Sequence, residues 1–214
     1  MLCPDCAKNI VFCKGGKCLL CGEILGANDM PNISGCPKCI EMNIAYNRVL
    51  CVTSFSGGII DLIHALKYKK APHVAKDLAK IALLHPETRD YLKDSTIVAV
   101  PLSKRRKAKR GYNQAEEIAL AITKLAPELN IKTEKLLKRI KHTSTQTKLD
   151  RQQRIENIEK AFVATNSCNN LDKRQKIVIL DDVITTAATI NECAKVLKKA
   201  GFKNVFAFSI AKRM

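Results

Sequence analysis

Residues 179–189 read Ile-Leu-Asp-Asp-Val-Ile-Thr-Thr-Ala-Ala-Thr, and this run concentrates more chemistry than any other part of the chain. The apolar residues leading into Asp181 and Asp182 read as a buried parallel strand that ends in two carboxylates. Thr185, Thr186, Ala187, Ala188 and Thr189 then make a short hydroxyl-rich passage into a helix. Loops at the carboxyl ends of parallel strands are where α/β sheets bind ligands. Free N–H groups at a helix start, helped by the dipole and by nearby hydroxyls, hold a phosphate. Asp181 and Asp182, close to that phosphate, could accept hydrogen bonds from sugar hydroxyls or help orient a magnesium ion. A phosphate with a polyol beside it describes a sugar phosphate. The alternative, that Asp-Asp and Thr-Thr only cap a helix, stays open because both residue types suit caps.

A second concentration lies at the N-terminus. Seven of the ten cysteines, Cys3, Cys6, Cys13, Cys18, Cys21, Cys36 and Cys39, fall within the first 39 residues. Three C-x-x-C knuckles are visible, at 3–6, 18–21 and 36–39. Two facing knuckles place four thiolates around a zinc ion. The cleanest quartet is Cys18, Cys21, Cys36 and Cys39, spaced C-x2-C-x14-C-x2-C. A rival quartet pairs Cys3 and Cys6 with Cys18 and Cys21, and a second zinc would draw on Cys3, Cys6 and Cys13. Cys13 is either a ligand or a buried thiol; for Cys51, Cys168 and Cys193 burial is the expectation. About forty residues with so few aliphatic side chains depend on metal for their fold, since zinc-binding free energy is then folding free energy.

The elements that must position these groups begin at residue 48. Residues 48–54 read as a strand. Ile59, Ile60, Leu62, Ile63 and Leu66 recur at helical spacing, and Pro72 restarts a helix whose apolar face is Val74, Leu78, Ile81 and Ala82. Residues 96–102 are a short apolar run, followed by a basic loop and a helix over Gln114–Leu125. Residues 161–165 and 176–182 read as strands, 190–200 as a helix closed by Gly201, and 204–210 as a buried strand. Strands alternating with helices imply a parallel sheet covered on both faces, an α/β fold, with residues 1–47 as a small zinc-ribbon domain and 48–214 as the larger one.

Composition bounds the function. With 46% hydrophobic and 27% charged residues, the 214-residue chain sits in the ordinary globular range. No apolar run approaches the roughly 18 residues of a membrane span, and the N-terminus has no signal-peptide core, so a cytoplasmic protein is expected. The formal charge of +17 calls for an anionic partner, a phosphorylated metabolite or nucleic acid. Residues 101–154 hold fifteen Lys or Arg against five Asp or Glu, densest at Lys104, Arg105, Arg106, Lys107, Lys109 and Arg110, with Tyr112 just beyond. Such a cluster can track a phosphodiester backbone while an aromatic stacks on an unpaired base; a merely solvated basic face is the other reading. The absence of a G-x-x-x-x-G-K-[ST] motif argues against a helicase or pumping ATPase. His64, His73, His85 and His142 read as surface or helix residues rather than catalysts. No aromatic platform for a purine or pyrimidine stands out.

The 179–189 run resembles the phosphoribosyl-pyrophosphate (PRPP) signature of type I phosphoribosyltransferases. Residues 100–115, VPLSKRRKAKRGYNQA, resemble the V-P-(L/V)…R-G-(F/Y)-N-Q segment of the ComF competence family. TSTQTKL at 143–149, followed by Arg154, Asn157, Ala161 and Phe162, resembles its T-x-x-Q-x-x-L…R-x-x-N…A-F segment, and LIHALKY at 62–68 resembles its L-I-x-x-x-K-Y element. With the N-terminal ribbon, these features run in family order along nearly the whole chain.

The resemblance implies a type I phosphoribosyltransferase-like fold and a role in handling single-stranded DNA that enters the cytoplasm during natural transformation, beside DNA-uptake proteins. It implies that Asp181 and Asp182 hold the ribose hydroxyls of PRPP and that Thr185 through Thr189 cradle its 5-phosphate. Ser103, Lys104 and Arg105 would approach the pyrophosphate, which carries magnesium. A working transferase would displace pyrophosphate from ribose C1 in favour of a base or amine. The chain departs from the family at Ala187, usually glycine, and in offering three knuckles where a double ribbon has four. A ribbon module with a decayed pocket is therefore a third reading.

Overall fold

Runs of β-branched residues, alternating with amphipathic helices, build a parallel sheet with both faces covered. The computed structural model describes residues 9–13, 16–23, 25, 35–141 and 158–213. After α1 (Pro37–Met42) the order is β1 (Val49–Ser54), α2 (Gly58–Tyr68), α3 (Val74–Leu84), α4 (Thr88–Leu92) and β2 (Ser95–Ala99). Then come α5 (Lys104–Arg110), α6 (Gln114–Leu125), β3 (Lys132–Thr133), β4 (Leu137–Arg139), β5 (Phe162–Ala164), β6 (Lys176–Ile184), α7 (Ala188–Lys199) and β7 (Asn204–Lys212). Strand order in the five-stranded sheet is β1, β7, β6, β2, β3, every pair parallel, and β4 with β5 forms a separate antiparallel pair.

Side chains on a strand alternate between faces, and the two halves of the core follow that alternation. Leu50, Val52, Val178, Leu180, Phe208 and Ile210 pack under α2, α3 and α6, which contribute Ile59, Ile63, Leu66, Leu78, Ile81, Ile118 and Ile122. Val49, Cys51, Ile177, Ile179, Val205 and Ala207 face the other way, against Ile190, Cys193, Ala194 and Leu197 of α7. The cysteine segment joins this second half: Cys13, Cys18, Cys21, Cys39 and Tyr46 lie in the same buried cluster. The Asn191 side chain of α7 accepts from the Ala45 N–H (2.7 Å) and donates to the carbonyls of Met42 and Asn43, holding the end of α1.

Several boundaries differ from the expectations. The basic stretch expected as a loop is helix α5; Ser103 caps it by accepting from the Arg106 N–H, and Gly111, at φ 87°, ends it in a left-handed conformation. Long unbranched Lys and Arg favour a helix once caps stand at both ends. β6 runs two residues past the carboxylate pair, because Val183 and Ile184 pair with Ala211 and Lys212 of an equally extended β7. Asp181 and Asp182 are therefore strand residues, and the loop is confined to Thr185 through Ala187. Short elements α4, β3 and β4 carry too few residues to show a period. No helix among the described residues is long and apolar enough to cross a membrane.

Candidate functional site

Four thiols converge first. A tight turn, with the Gly22 N–H on the Cys18 carbonyl (2.9 Å), orients Cys18 and Cys21; Cys36 is the N-cap of α1 with Pro37 after it, and the Cys39 N–H returns to the Cys36 carbonyl (2.8 Å). The Sγ atoms of Cys18, Cys21, Cys36 and Cys39 all lie within 4.8 Å of one another. The pairs Cys18–Cys39, Cys21–Cys36 and Cys36–Cys39 are each 3.7 Å apart. Zn–S bonds of about 2.3 Å in a tetrahedron put sulfurs about 3.8 Å apart, so the quartet could hold a zinc ion. A hydrogen bond from Cys39 pulls the Cys21 thiol down to about 5, while Cys39 itself is pushed up. A residue with a side chain would not fit at position 22, where a Cβ would stand 2.8 Å from the Cys51 Sγ.

Cys13 lies outside this cluster, its thiol pushed up by burial. Cys51, also buried, is pushed up to about 12 by desolvation and then by the neighbouring Cys13. Cys168 and Cys193 are buried as expected. Cys3 and Cys6 lie outside the described residues, as do His142, the 143–149 segment, Arg154 and Asn157. His85 is not a surface residue: it follows α3, is 2% exposed, and its Nε2 stands 3.2 Å from the Cys13 carbonyl.

The second site is a cleft of about 210 Å³ at the carboxyl ends of β1, β6 and β7. Asp181 and the run Thr185, Thr186, Ala187, Ala188 and Thr189 line one wall. Ala187 stands at the N-cap of α7 with φ 61°, a left-handed conformation that glycine enters freely and alanine does not. It accepts this geometry with its methyl group buried. Three residues of the sequence motif behave differently: Ser103 is occupied as a cap, Lys104 and Arg105 are exposed on α5, and none of them lines the cleft.

The two aspartates are in different states. Asp182 is buried and forms an ion pair with Lys67 of α2; burial pushes its carboxyl up, but the Lys67 ammonium outweighs this and holds it below its ordinary range. Burial, and then the charge of Asp182, push the Asp181 carboxyl well above its ordinary range. Its Oδ1 accepts from the Asp182 N–H at 2.9 Å. One carboxylate is thus paired with a lysine, while burial and the neighbouring Asp182 charge disfavour ionisation of the other. Among the described residues only the cysteine quartet has metal-ligand geometry. A magnesium ion in the cleft would need oxygens from its ligand as well.

Sequence reasoning missed several participants. Lys67 lies inside the LIHALKY motif without being marked as a partner of Asp182. Burial, and then a neighbouring arginine in each case, push the Arg106 and Arg139 guanidinium groups below their ordinary range; neither lines the cleft. Lys212, 2% exposed, donates from Nζ to the carbonyls of Thr185 (2.6 Å) and Arg213 (3.2 Å). A terminal lysine in a basic chain carries no sequence signal of burial.

The fold and the cleft together define an α/β protein with a hydroxyl-rich strand-to-helix loop beside paired carboxylates, joined to a four-cysteine cluster. No family model matches the chain. Competence protein ComFC of Streptococcus pneumoniae is 30% identical over 219 residues, covering 96% of this chain and 93% of its own. The chain belongs to the ComF family of competence proteins. Competence protein F of Haemophilus influenzae is 27% identical, covering 98% and 96% of the two chains. DNA utilization protein YhgH of Escherichia coli K12 is 28% identical, covering 86% and 78%. Among solved structures, that of the allosteric regulatory enzyme of purine biosynthesis matches at TM-score 0.41 and 15% identity, over 70% of this chain and 30% of that one.

Proposed function

We propose that the protein binds PRPP together with magnesium in the cleft, carries zinc in its cysteine quartet, and takes part in handling incoming single-stranded DNA in the cytoplasm. Residues 1–47 form the metal-bound ribbon and residues 48–214 the sugar-phosphate unit. The observation that carries this reading is the placement of Asp181 beside the Thr185 to Thr189 loop in one cleft. The loop and the N–H groups opening α7 receive the 5-phosphate, and Asp181 receives the ribose hydroxyls, while Asp182, buried beside the cleft, holds Lys67. The names of the relatives, which speak of competence and DNA utilization, support the DNA role, with DNA-uptake proteins as partners. The exposed face of α5, where Lys104, Arg105, Lys107 and Lys109 stand clear of the core, is its DNA-facing surface.

Calorimetric titration of PRPP with magnesium into the zinc-loaded protein tests the cleft. Saturable binding that disappears in Asp181→Asn/Asp182→Asn is the expected result; unchanged affinity in that variant would overturn the assignment. Pyrophosphate release in the presence of a base or amine would mark the protein as a working transferase. The left-handed Ala187 favours the reading of a decayed pocket, which absence of PRPP binding would support.

A further inference from the structure

The strand-to-helix loop of the cleft is gripped at both ends by the two cysteine knuckles. At its start, the Lys212 ammonium donates to the Thr185 carbonyl (2.6 Å) and pairs with Glu23 at 3.3 Å. Glu23 belongs to the first knuckle: its carbonyl accepts from the Cys18 N–H at 2.9 Å, closing the turn that carries Cys18 and Cys21. A Cβ at Gly22 would stand 3.9 Å from the Lys212 Cδ, so the same turn lies against the lysine stem. At the other end of the loop, the Asn191 N–H closes the first turn of α7 on the Ala187 carbonyl (2.9 Å). The Asn191 side chain, 2% exposed, accepts from the Ala45 N–H (2.7 Å) and donates to the carbonyls of Met42 and Asn43 (3.3 Å each). Those carbonyls end α1, the helix that is capped by Cys36 and contains Cys39. Neither Lys212 nor Asn191 lines the cleft.

Both grips depend on the order of the cysteine segment. It has few aliphatic side chains, so a metal that gathers its four thiolates supplies the free energy that orders it. With the knuckles held, Glu23 stands beside Lys212 and the end of α1 stands beside Asn191. Without them, Lys212 is a buried ammonium that has lost its carboxylate, a costly state that it relieves by turning to water. The Thr185 carbonyl then loses its donor, and Asn191 loses three partners at once. The N–H groups opening α7 are no longer fixed, and an anion that binds the fixed loop binds the released one less tightly.

We propose that zinc occupancy of the quartet and anion binding at the loop are coupled through Glu23, Lys212 and Asn191, which makes the ribbon a regulatory element of the cleft. Loss of the metal weakens the hold on the phosphate, and by linkage the bound phosphate tightens the metal by the same factor. This rests on the sugar-phosphate reading of the loop, and the test separates the two. Ribose 5-phosphate is titrated by calorimetry into the zinc-loaded protein, and zinc affinity is measured by competition with a chromogenic chelator, with and without saturating ribose 5-phosphate. In the wild type, saturation should tighten zinc about tenfold. Glu23→Ala and Asn191→Ala keep the four thiols and every residue lining the cleft. The Glu23 side chain is 34% exposed, so its removal leaves the fold intact. In both variants ribose 5-phosphate should still bind, and the gain in zinc affinity should shrink. Binding of ribose 5-phosphate that leaves zinc affinity unchanged in the wild type would overturn the coupling and leave the phosphate loop standing. A gain of undiminished size in both variants would also overturn it, because the ligand then protects zinc only by stabilising the whole fold. Absence of ribose 5-phosphate binding would overturn the loop reading and the coupling together.

Discussion

The ammonium of Lys212, almost wholly buried at the end of β7, donates to the carbonyl of Thr185 at 2.6 Å and pairs with Glu23, two residues beyond Cys21, at 3.3 Å. A buried cation persists only when its donors are satisfied. This one is satisfied by the cleft loop on one side and by the cysteine segment on the other. The loop that faces the cleft is thereby tied to the segment that gathers the four thiols.

Replacing Lys212 with Met keeps the length of the side chain and removes the tie. Losing a charged hydrogen-bond donor of this kind costs about 1–3 kcal/mol, so the melting temperature should fall by several degrees. Affinity for ribose 5-phosphate should fall with it, because the Thr185 carbonyl is no longer held. Thermal unfolding and calorimetry check the two effects; an unaltered affinity would detach the cysteine segment from the cleft.

The aspartates predict opposite pH responses. The Asp181 carboxyl is raised by burial and by Asp182. Its contribution to stability is complete below the ordinary carboxylate range and is lost as pH rises through the raised value. The Asp182 carboxyl is lowered, so its contribution is present above the ordinary range and is lost as pH falls through the lowered value. Asp181→Asn should therefore raise the melting temperature near pH 8, by about 2–4 °C for each kcal/mol relieved, and leave it unchanged near pH 4. Asp182→Asn should lower it at neutral pH, since Lys67 then loses its partner. Melting curves across this range decide the sign of each.

Ala187→Gly should stabilise the protein slightly. Relief of a left-handed alanine is worth about 1–2 kcal/mol, offset by roughly 0.8 kcal/mol for the lost buried methyl group. Denaturant unfolding reads the net gain, and phosphate affinity should not decrease. A loss of stability would show that the methyl packing outweighs the strain.

Metal analysis of the purified protein should find zinc that is lost in Cys39→Ser, with a fall in thermal stability. One zinc per chain fits the quartet of Cys18, Cys21, Cys36 and Cys39. Two would bring in Cys3, Cys6 and Cys13.

Glutamine at Lys104, Arg105, Lys107 and Lys109 together should leave folding intact, as α5 buries no side chain. Arg106 is left in place because its side chain is only partly exposed. Binding of single-stranded DNA should weaken alike for all sequences, and the slope of log affinity against log salt should become shallower by up to about 3. An unmoved slope would place the DNA surface elsewhere.

What could be read along the chain were relationships between near neighbours. The C-x-x-C knuckles, the Asp-Asp and Thr-rich run, and the strand and helix periods are all written within a turn or two, where backbone geometry alone sets which side chains meet. Even there, the caps of α5 and the extension of β6 past Asp182 were missed, since each depends on a partner placed by the rest of the fold. The other decisions were tertiary. Gathering Cys18, Cys21, Cys36 and Cys39, pairing Lys67 with Asp182, burying Lys212, and bringing Phe55, His64 and Tyr68 to the same cleft as the Thr185 loop all follow from the sheet. β1 and β6 lie on either side of β7, so chain ends far apart in sequence finish at one edge. Strand order minimises exposed apolar surface over the whole sheet at once, and no local spacing encodes it.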